Sequence, residues 1–349
     1  MRLTPLRAAL LAATVVAPHA LGAQSRCEPA FQPAADSLAQ MTGELGLGGA
    51  ALVLRHEGRV VCEVYTGGFG VTTEVPLVSA AKWLSAATIL TLVDDGRLKL
   101  DEPIGKRLSY FKGNLGAITL RQLLSLTSGL PGLHPCMTRA DLTLDECARD
   151  IAKQARLSGP PGSAFAYGGM GFTVAGRLAE VADGKPWAEV FRARMAEPLG
   201  MRHTGYGATA NPMLSEGLAY STAEEYSRML QMVLDGGTWD GRRILSAEAV
   251  EEMTRDQTAG AEIAASPRGT TTYGLGCWRD VVDSATGRAL VLTSPGAGGF
   301  IPWINRARGL AGVVAAYDRL DRVWPRAVGI MVAARNAVAQ ADTAGVGQP

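Results

Sequence analysis

The chain has 349 residues, 47% of them hydrophobic and 19% charged, enough for one large globular unit with a sizeable core. Lys and Arg number 34 against 33 Asp and Glu, a net charge of +1. With no basic tract, that balance argues against nucleic acid as a partner.

Residues 1–23 read as a targeting segment. Arg2 and Arg7 form a positive start, Ala8 to Ala17 an apolar core too short to span a bilayer, and Ala20-Leu21-Gly22 or Ala23 a small-residue cleavage site. A retained anchor is the alternative. No later apolar run of spanning length is free of charge and turn residues. The remaining chain, 24–349, is therefore expected in the periplasm or secreted, with no stable membrane span.

Residues 35–46 have a helical period. Gly48 to Arg55 and Arg59 to Thr66 form a predicted hairpin around His56-Glu57-Gly58. A buried helix opens near Ser79. A short helix, Leu120 to Leu126, precedes a turn over 127–132, and helical period returns over 140–155, 170–182, 186–197, 221–234 and 246–255. Strand signals resume at Tyr273 to Val282, Ala289 to Thr293, Gly299 to Asn305 and Leu310 to Tyr317. Pro302, inside one of these, suggests an edge strand or a bulge. A last helix runs from Leu320 to Gln340, and 341–349 read as a loose tail. Strands near both ends with helices between predict an α/β (α+β) plan. One antiparallel sheet comes from 24–77 and 270–340, and a mainly helical insertion from 78–269, within a single unit.

From Ala80 to Val93 nearly every residue is apolar, the mark of a buried helix. Ser79, Lys82, Ser85, Thr88 and Thr91 recur every third residue and form one slowly drifting stripe. Lys82 is the anomaly. A lysine in a buried helix needs a partner, and desolvation is one way an amine becomes available as a base. Ser79 stands three residues earlier on the same face, in the first turn, where free N–H groups favour developing negative charge. That pairs a nucleophile with its base. On these residues alone, a helix-start serine and a snorkelling lysine fit as well. The same spacing recurs at Ser109-Tyr110-Phe111-Lys112, but no apolar period accompanies it and Gly113-Asn114 marks a turn.

Other chemistries find little support. No Gly-x-Ser-x-Gly elbow occurs, and no phosphate-loop or dinucleotide pattern follows a strand. His19 lies in the targeting segment and His56 in the hairpin turn. His134 and His203 stand in loops without metal-ligand spacing; a Ser-His-Asp triad or a zinc site built on them is the alternative. No cofactor or metal is expected. Five cysteines fit export. Cys136 and Cys147, close together in one loop-plus-helix stretch, are expected to be bridged. Cys27 and Cys62 would tie down the N-terminus, leaving Cys277 buried; reduced, buried cysteines are the alternative.

Further stretches carry a family likeness. They are Pro161-Gly162-Ser163-Ala164-Phe165-Ala166-Tyr167-Gly168-Gly169 and Ser294-Pro295-Gly296-Ala297-Gly298-Gly299-Phe300, with Leu124 to Pro131, Pro198 to Met201 and Tyr273 to Gly276. In order and spacing after Ser79-x-x-Lys82, they resemble the serine β-lactamase and penicillin-binding protein superfamily over residues 35–335, above all class C β-lactamases and family VIII carboxylesterases. The resemblance implies a β-lactamase-like fold and an acyl-enzyme on Ser79, with Lys82 as its partner. Tyr167 matches the tyrosine of a Tyr-x-Asn motif, a proton relay beside the nucleophile. Which of Lys82 and Tyr167 takes the first proton stays open, and a core tyrosine in a turn is the alternative. Gly296-Ala297 matches the strand of a Lys-Thr-Gly motif, whose N–H, at Ala297, would join that of Ser79 as an oxyanion hole.

Two positions depart from the pattern. Gly169 stands where relatives hold a substrate amide with Asn, and Ser294 where they place a cation near a substrate carboxylate. Nucleophile, relay and oxyanion hole remain. The expected function is therefore an exported serine hydrolase acting on short-chain esters. A β-lactamase or D-amino-acid peptidase is one alternative, and a non-catalytic ligand-binding or sensor module another. Arg306, Arg308 and Arg319 are candidate cations for replacing a lost anchor.

Overall fold

The computed structural model describes residues 25–215, 218–270 and 272–345. The predicted targeting segment lies outside the described residues. The chain begins with β1 (Arg26–Cys27) and α1 (Gln32–Leu45), which ends on left-handed Gly46. The hairpin β2 (Gly49–His56) and β3 (Arg59–Gly67) turns through Glu57 and Gly58, both at positive φ, as a tight two-residue turn requires. After β4 (Val75–Pro76), a 3₁₀ turn at Val78–Ala80 feeds α2 (Ala81–Asp94). Then come α3 (Gly113–Ala117), α4 (Leu120–Leu124) and α5 (Leu144–Gln154); capping boxes Thr119/Gln122 and Thr143/Glu146 start the last two. They are followed by β5 (Ala164–Ala166) and α6 (Met170–Asp183), then α7 (Trp187–Phe191), which runs through a π turn into α8 (Glu197–Leu199). The chain continues with β6 (Tyr220–Ser221), α9 (Ala223–Leu234), β7 (Thr238–Trp239), β8 (Arg242–Arg243) and α10 (Ala247–Thr254). Last are β9 (Glu262–Ala265), β10 (Trp278–Val282), β11 (Ala289–Thr293), β12 (Phe300–Asn305), β13 (Leu310–Ala316) and α11 (Leu320–Gly345).

Seven strands form one antiparallel sheet in the order β1-β3-β2-β13-β12-β11-β10, joining the two ends of the chain. It is a mixed α/β fold, as expected, with one large antiparallel sheet flanked by helices. Strand β2 shows why its sequence lacks the usual polar alternation. Ala50, Leu52 and Leu54 pack with Leu38, Val323 and Ile330 under α1 and α11, while Ala51 and Val53 join the core of the helical part. A strand covered on both faces reads as a continuous apolar run. Helix α2 is similarly enclosed, with Ala81 through Leu92 all buried. Two disulfides, Cys27–Cys62 across β1 and β3 and Cys136–Cys147 at the start of α5, have Cα separations of 3.9 and 5.2 Å. Cys277 is a buried thiol, pushed up to about 12 by burial and thus unreactive.

Several expectations change. Pro302 lies in an interior strand, and the β12–β13 register runs unbroken through Pro302↔Val313. Strand residues direct N and C=O to the same neighbour. Pro302 O accepts from Ser294 N at 3.3 Å, so its missing N–H faces β11 just beyond Thr293, where the regular ladder has stopped. Tyr273 to Cys277 is not strand. Gly274 N donates to Cys277 O at 2.8 Å and Gly276 has φ +85°, which makes a tight loop before β10. The segment read as a tail from 341 continues helical to Gly345. The parallel pair β5–β9 was not foreseen. No helix among the described residues is long and apolar enough to cross a membrane.

Candidate active site

The turn that leads into Ser79 is strained. Val78, β-branched, has φ +47°, a left-handed conformation that costs on the order of 1–3 kcal/mol. It carries the chain from β4 into the 3₁₀ turn and leaves Ser79 half-buried at the mouth of α2. One turn on, Lys82 is fully buried. Its Nζ donates to Ser79 Oγ at 3.1 Å and to Ser215 O at 2.9 Å, and lies 4.7 Å from the Tyr167 ring centroid. A lysine therefore survives inside an apolar helix because its head meets acceptors on two sides. The rest of the polar stripe is satisfied too. Ser85 Oγ bonds Leu214 O and the Tyr206 hydroxyl, and Thr88 and Thr91 bond back to their own helix. Tyr226 donates to Ala80 O at 2.7 Å and pins the helix start.

Tyr167 enters from the helical part. The β5–β9 pair extends to a Tyr167 N to Ala265 O bond of 2.9 Å. Its ring stacks on Trp278 at 5.3 Å and 18°, and meets Tyr273 edge-on at 6.3 Å. Gly168 and Gly169 are more than turn residues. A Cβ on Gly168 would fall 2.2 Å from Gly132 Cα, and Gly169 N donates to Gly132 O at 2.7 Å. This close backbone approach fixes the segment after Tyr167. Gly169 then starts α6 and offers a substrate no side-chain amide.

The third segment seals against the first. A Cβ on Gly296 would sit 2.1 Å from Leu77 O, so only glycine lets this turn touch the turn that carries Ser79. Its neighbour Ala297 lines the same cleft as Ser79. Ser294 does not face that cleft. Buried, its hydroxyl donates to Gly276 O at 3.1 Å and Ser79 O at 3.3 Å, so it braces backbone instead of meeting substrate. Gly276 repeats the theme: a Cβ there would lie 2.5 Å from Lys82 O.

The resulting cleft has a volume of about 460 Å³. Besides Ser79, Tyr167 and Ala297 it is lined by Trp278, Arg268 and Trp324. The sequence reading missed those three, although Trp278 directly follows the Tyr-Gly-Leu-Gly-Cys run. It also missed Ser215, which supplies only a carbonyl. A larger hollow of about 540 Å³ beside α5 and α6 is lined by neither Ser79 nor Tyr167. Arg306 and Arg308 sit between β12 and β13, at the end of β12 away from Ala297. Arg319 reaches the rim only by pairing with Asp321. His134 Nδ1 accepts from Cys136 N, and His203 pairs with Glu74, so neither serves Ser79. Among the described residues, no cluster of His, Cys, Asp or Glu is arranged to hold a metal ion.

The chain matches known proteins over most of its length. A model of the Beta-lactamase family fits residues 34–323. A crystal structure of a Bacteroides dorei DSM 17855 protein, described as a β-lactamase, is 34% identical with a TM-score of 0.78, covering 86% of this chain and 98% of that one. A family VIII carboxylesterase shares the fold at a TM-score of 0.75 and 19% identity, over 90% and 99% of the two chains. Penicillin-binding protein 4 of Amycolatopsis lactamdurans is 32% identical over 233 residues, 55% of this chain and 60% of that protein. Esterase EstB of Burkholderia gladioli is 34% identical over 149 residues, 37% of this chain and 38% of that protein. The chain thus spans less than two thirds of these curated relatives, and only 31% of protein flp of Staphylococcus aureus strain N315.

Proposed function

The chain belongs to the β-lactamase family, whose members are serine hydrolases, and from that premise we propose that it is an exported esterase acting through an acyl-enzyme on Ser79. The observation that carries this reading is Lys82 Nζ, buried and 3.1 Å from Ser79 Oγ. Held between Ser79 Oγ and Ser215 O, the amine stands where it can take the Ser79 proton. As Oγ attacks the ester carbonyl, the proton passes to Lys82, directly or by way of Tyr167. The carbonyl oxygen gathers charge between the N–H groups of Ser79 and Ala297. The C–O bond then breaks, the alcohol leaves with the proton, and the acyl group stays on Ser79. Water attacks that acyl ester, releasing the carboxylic acid and restoring the serine.

Esters are favoured over β-lactams by what the site lacks. Position 169 has no amide and position 294 has no cation, and the Ser294 hydroxyl is committed to backbone. A lost neutral hydrogen bond costs about 0.5–1.5 kcal/mol and one to a charged group about 1.5–3, together roughly two to three powers of ten in rate. The measurement is kcat/KM for p-nitrophenyl butyrate against nitrocefin, with Ser79→Ala as blank. Nitrocefin matching or beating the ester overturns the esterase reading. The second reading, a β-lactamase, has the 34% identical Bacteroides dorei protein in its favour. On that reading Gly169→Asn adds little; on ours it raises β-lactam acylation. Both disulfides suit an oxidising compartment and support export. Fractionation that leaves the protein with reduced cysteines in the cytoplasm would contradict export.

A further inference from the structure

We infer that this cleft selects an uncharged ester bearing a flat aromatic group, with Trp324 as the specificity-determining residue; the inference rests on the esterase reading of the same site. One wall of the cleft is a stack of planar groups drawn from four places in the chain. Tyr167 lies on Trp278 of β10 at 5.3 Å and 18°. The Arg268 guanidinium carbon stands 4.8 Å from the Trp278 ring centroid and 5.0 Å from that of Trp324 on α11. Asp280 and Thr293 hold Arg268 from behind, and neither lines the cleft. The rings are thereby fixed before any substrate arrives, so little ordering cost falls on binding. Pro267, Pro295 and Leu320 complete an apolar surface around Ser79 and Ala297. Such a surface suits a ring in offset or edge contact, and a plain alkyl group of similar reach would forgo that contact.

The charges point the same way. The cation of the cleft, Arg268, is paired with Asp280. Its acid, Asp321, is paired with Arg319, so neither charge lining the cleft is left over for a charged substrate group. The ring's partner is thus an uncharged group, on either the acyl or the alcohol side of the ester.

The test is pH-stat hydrolysis of ethyl butyrate, benzyl butyrate, ethyl phenylacetate and the 4-carboxy analogue of the preferred aromatic ester, with Ser79→Ala as blank. The two aromatic esters distinguish alcohol-side from acyl-side placement. At least one should exceed ethyl butyrate about tenfold in kcat/KM, and its carboxylate analogue should fall about tenfold below it. Trp324→Ala should bring the aromatic-to-ethyl ratio toward one, and Trp324→Phe should retain it. A wild-type ratio near one, an equally good carboxylate, or a ratio untouched by Trp324→Ala overturns the inference. If Trp324→Ala does not fold, competition in the wild type decides. Phenylacetamide should inhibit while acetamide and phenylacetate do not, and equal effects from all three overturn the inference. If no ester shows Ser79-dependent turnover, the esterase reading itself fails. Tryptophan-fluorescence titration with the same three compounds then decides: a response to phenylacetamide alone retains the aromatic site, and any other pattern removes it.

Discussion

Replacing Gly296 by alanine should cost the protein its catalysis before it costs its fold. The added Cβ would lie 2.1 Å from Leu77 O and 3.1 Å from Leu77 C. The obstacle is backbone, in the turn that carries Val78 and Ser79, so no side-chain rotation relieves it. One of the two turns must retreat, and Ala297 N–H then moves relative to Ser79. Overpacking of this kind costs about 1–3 kcal/mol of stability. Loss of one oxyanion donor costs about 10²–10³ in kcat, or about 2.7–4 kcal/mol of barrier. Gly298→Ala, two residues along, is the matched control, because its Cβ would meet Val78 Cγ2 at 3.4 Å, an ordinary contact. The assay is kcat and KM for p-nitrophenyl butyrate on both variants, alongside thermal unfolding. Gly296→Ala should stay folded with kcat down about 10²-fold or more, and Gly298→Ala should remain near wild type. Near wild-type kcat in Gly296→Ala, or an equal loss in Gly298→Ala, would refute the reasoning.

Lys82→Arg puts a guanidinium that cannot be deprotonated, and so cannot act as a base, in the same place, so the p-nitrophenol burst should slow by about 10²–10⁴; an unchanged burst contradicts the proposed base. In the chain-entropy model the Cys27–Cys62 bridge, with a sequence separation of 35, is worth about 3.8 kcal/mol, and Cys136–Cys147, separation 11, about 2.8. Denaturant titration of the paired Cys→Ser variants should therefore find the first the less stable, and the reverse order contradicts the model. Burial raises the Asp145 carboxyl, but the Arg149 hydrogen bond and the charges of Arg177 and Arg149 outweigh it and hold it below its ordinary value. Its stabilisation is present above the unfolded value of about 3.9 and is lost as the pH falls through the lowered one. Asp145→Asn should thus lower Tm at pH 7 and converge with wild type in acid; a gap that persists unchanged there would contradict the sign.

What the sequence disclosed depended on how local the cause was. The stripe Ser79, Lys82, Ser85, Thr88, Thr91 is a property of one helix, and its period could be read directly. The sheet was legible because β2 and β13 are apolar runs bounded by turns. The second acceptor that gives Lys82 a home was not legible. Ser215 O lies 133 residues away and contributes backbone, which no residue type announces. Gly296, Gly276 and Gly168 look like turn glycines, yet each is glycine because another backbone passes within about 2–2.5 Å of where a Cβ would stand. Ser294 was read as a substrate position because motif alignment gives an address and not an orientation; its hydroxyl turns inward. Pro302 misled because a missing donor matters only on the side where the ladder continues. The Trp278–Arg268–Trp324 wall joins a strand, a turn and the last helix, and nothing in their sequence spacing hints at contact.

Covalent labelling tests the central claim most directly. The protein is incubated with a serine-directed phosphonate, digested, and the adduct mapped by mass spectrometry. The account predicts one adduct per chain, on Ser79, absent in Ser79→Ala and slowed in Lys82→Arg. An adduct on another serine such as Ser109, or undiminished labelling of Ser79→Ala, would contradict it.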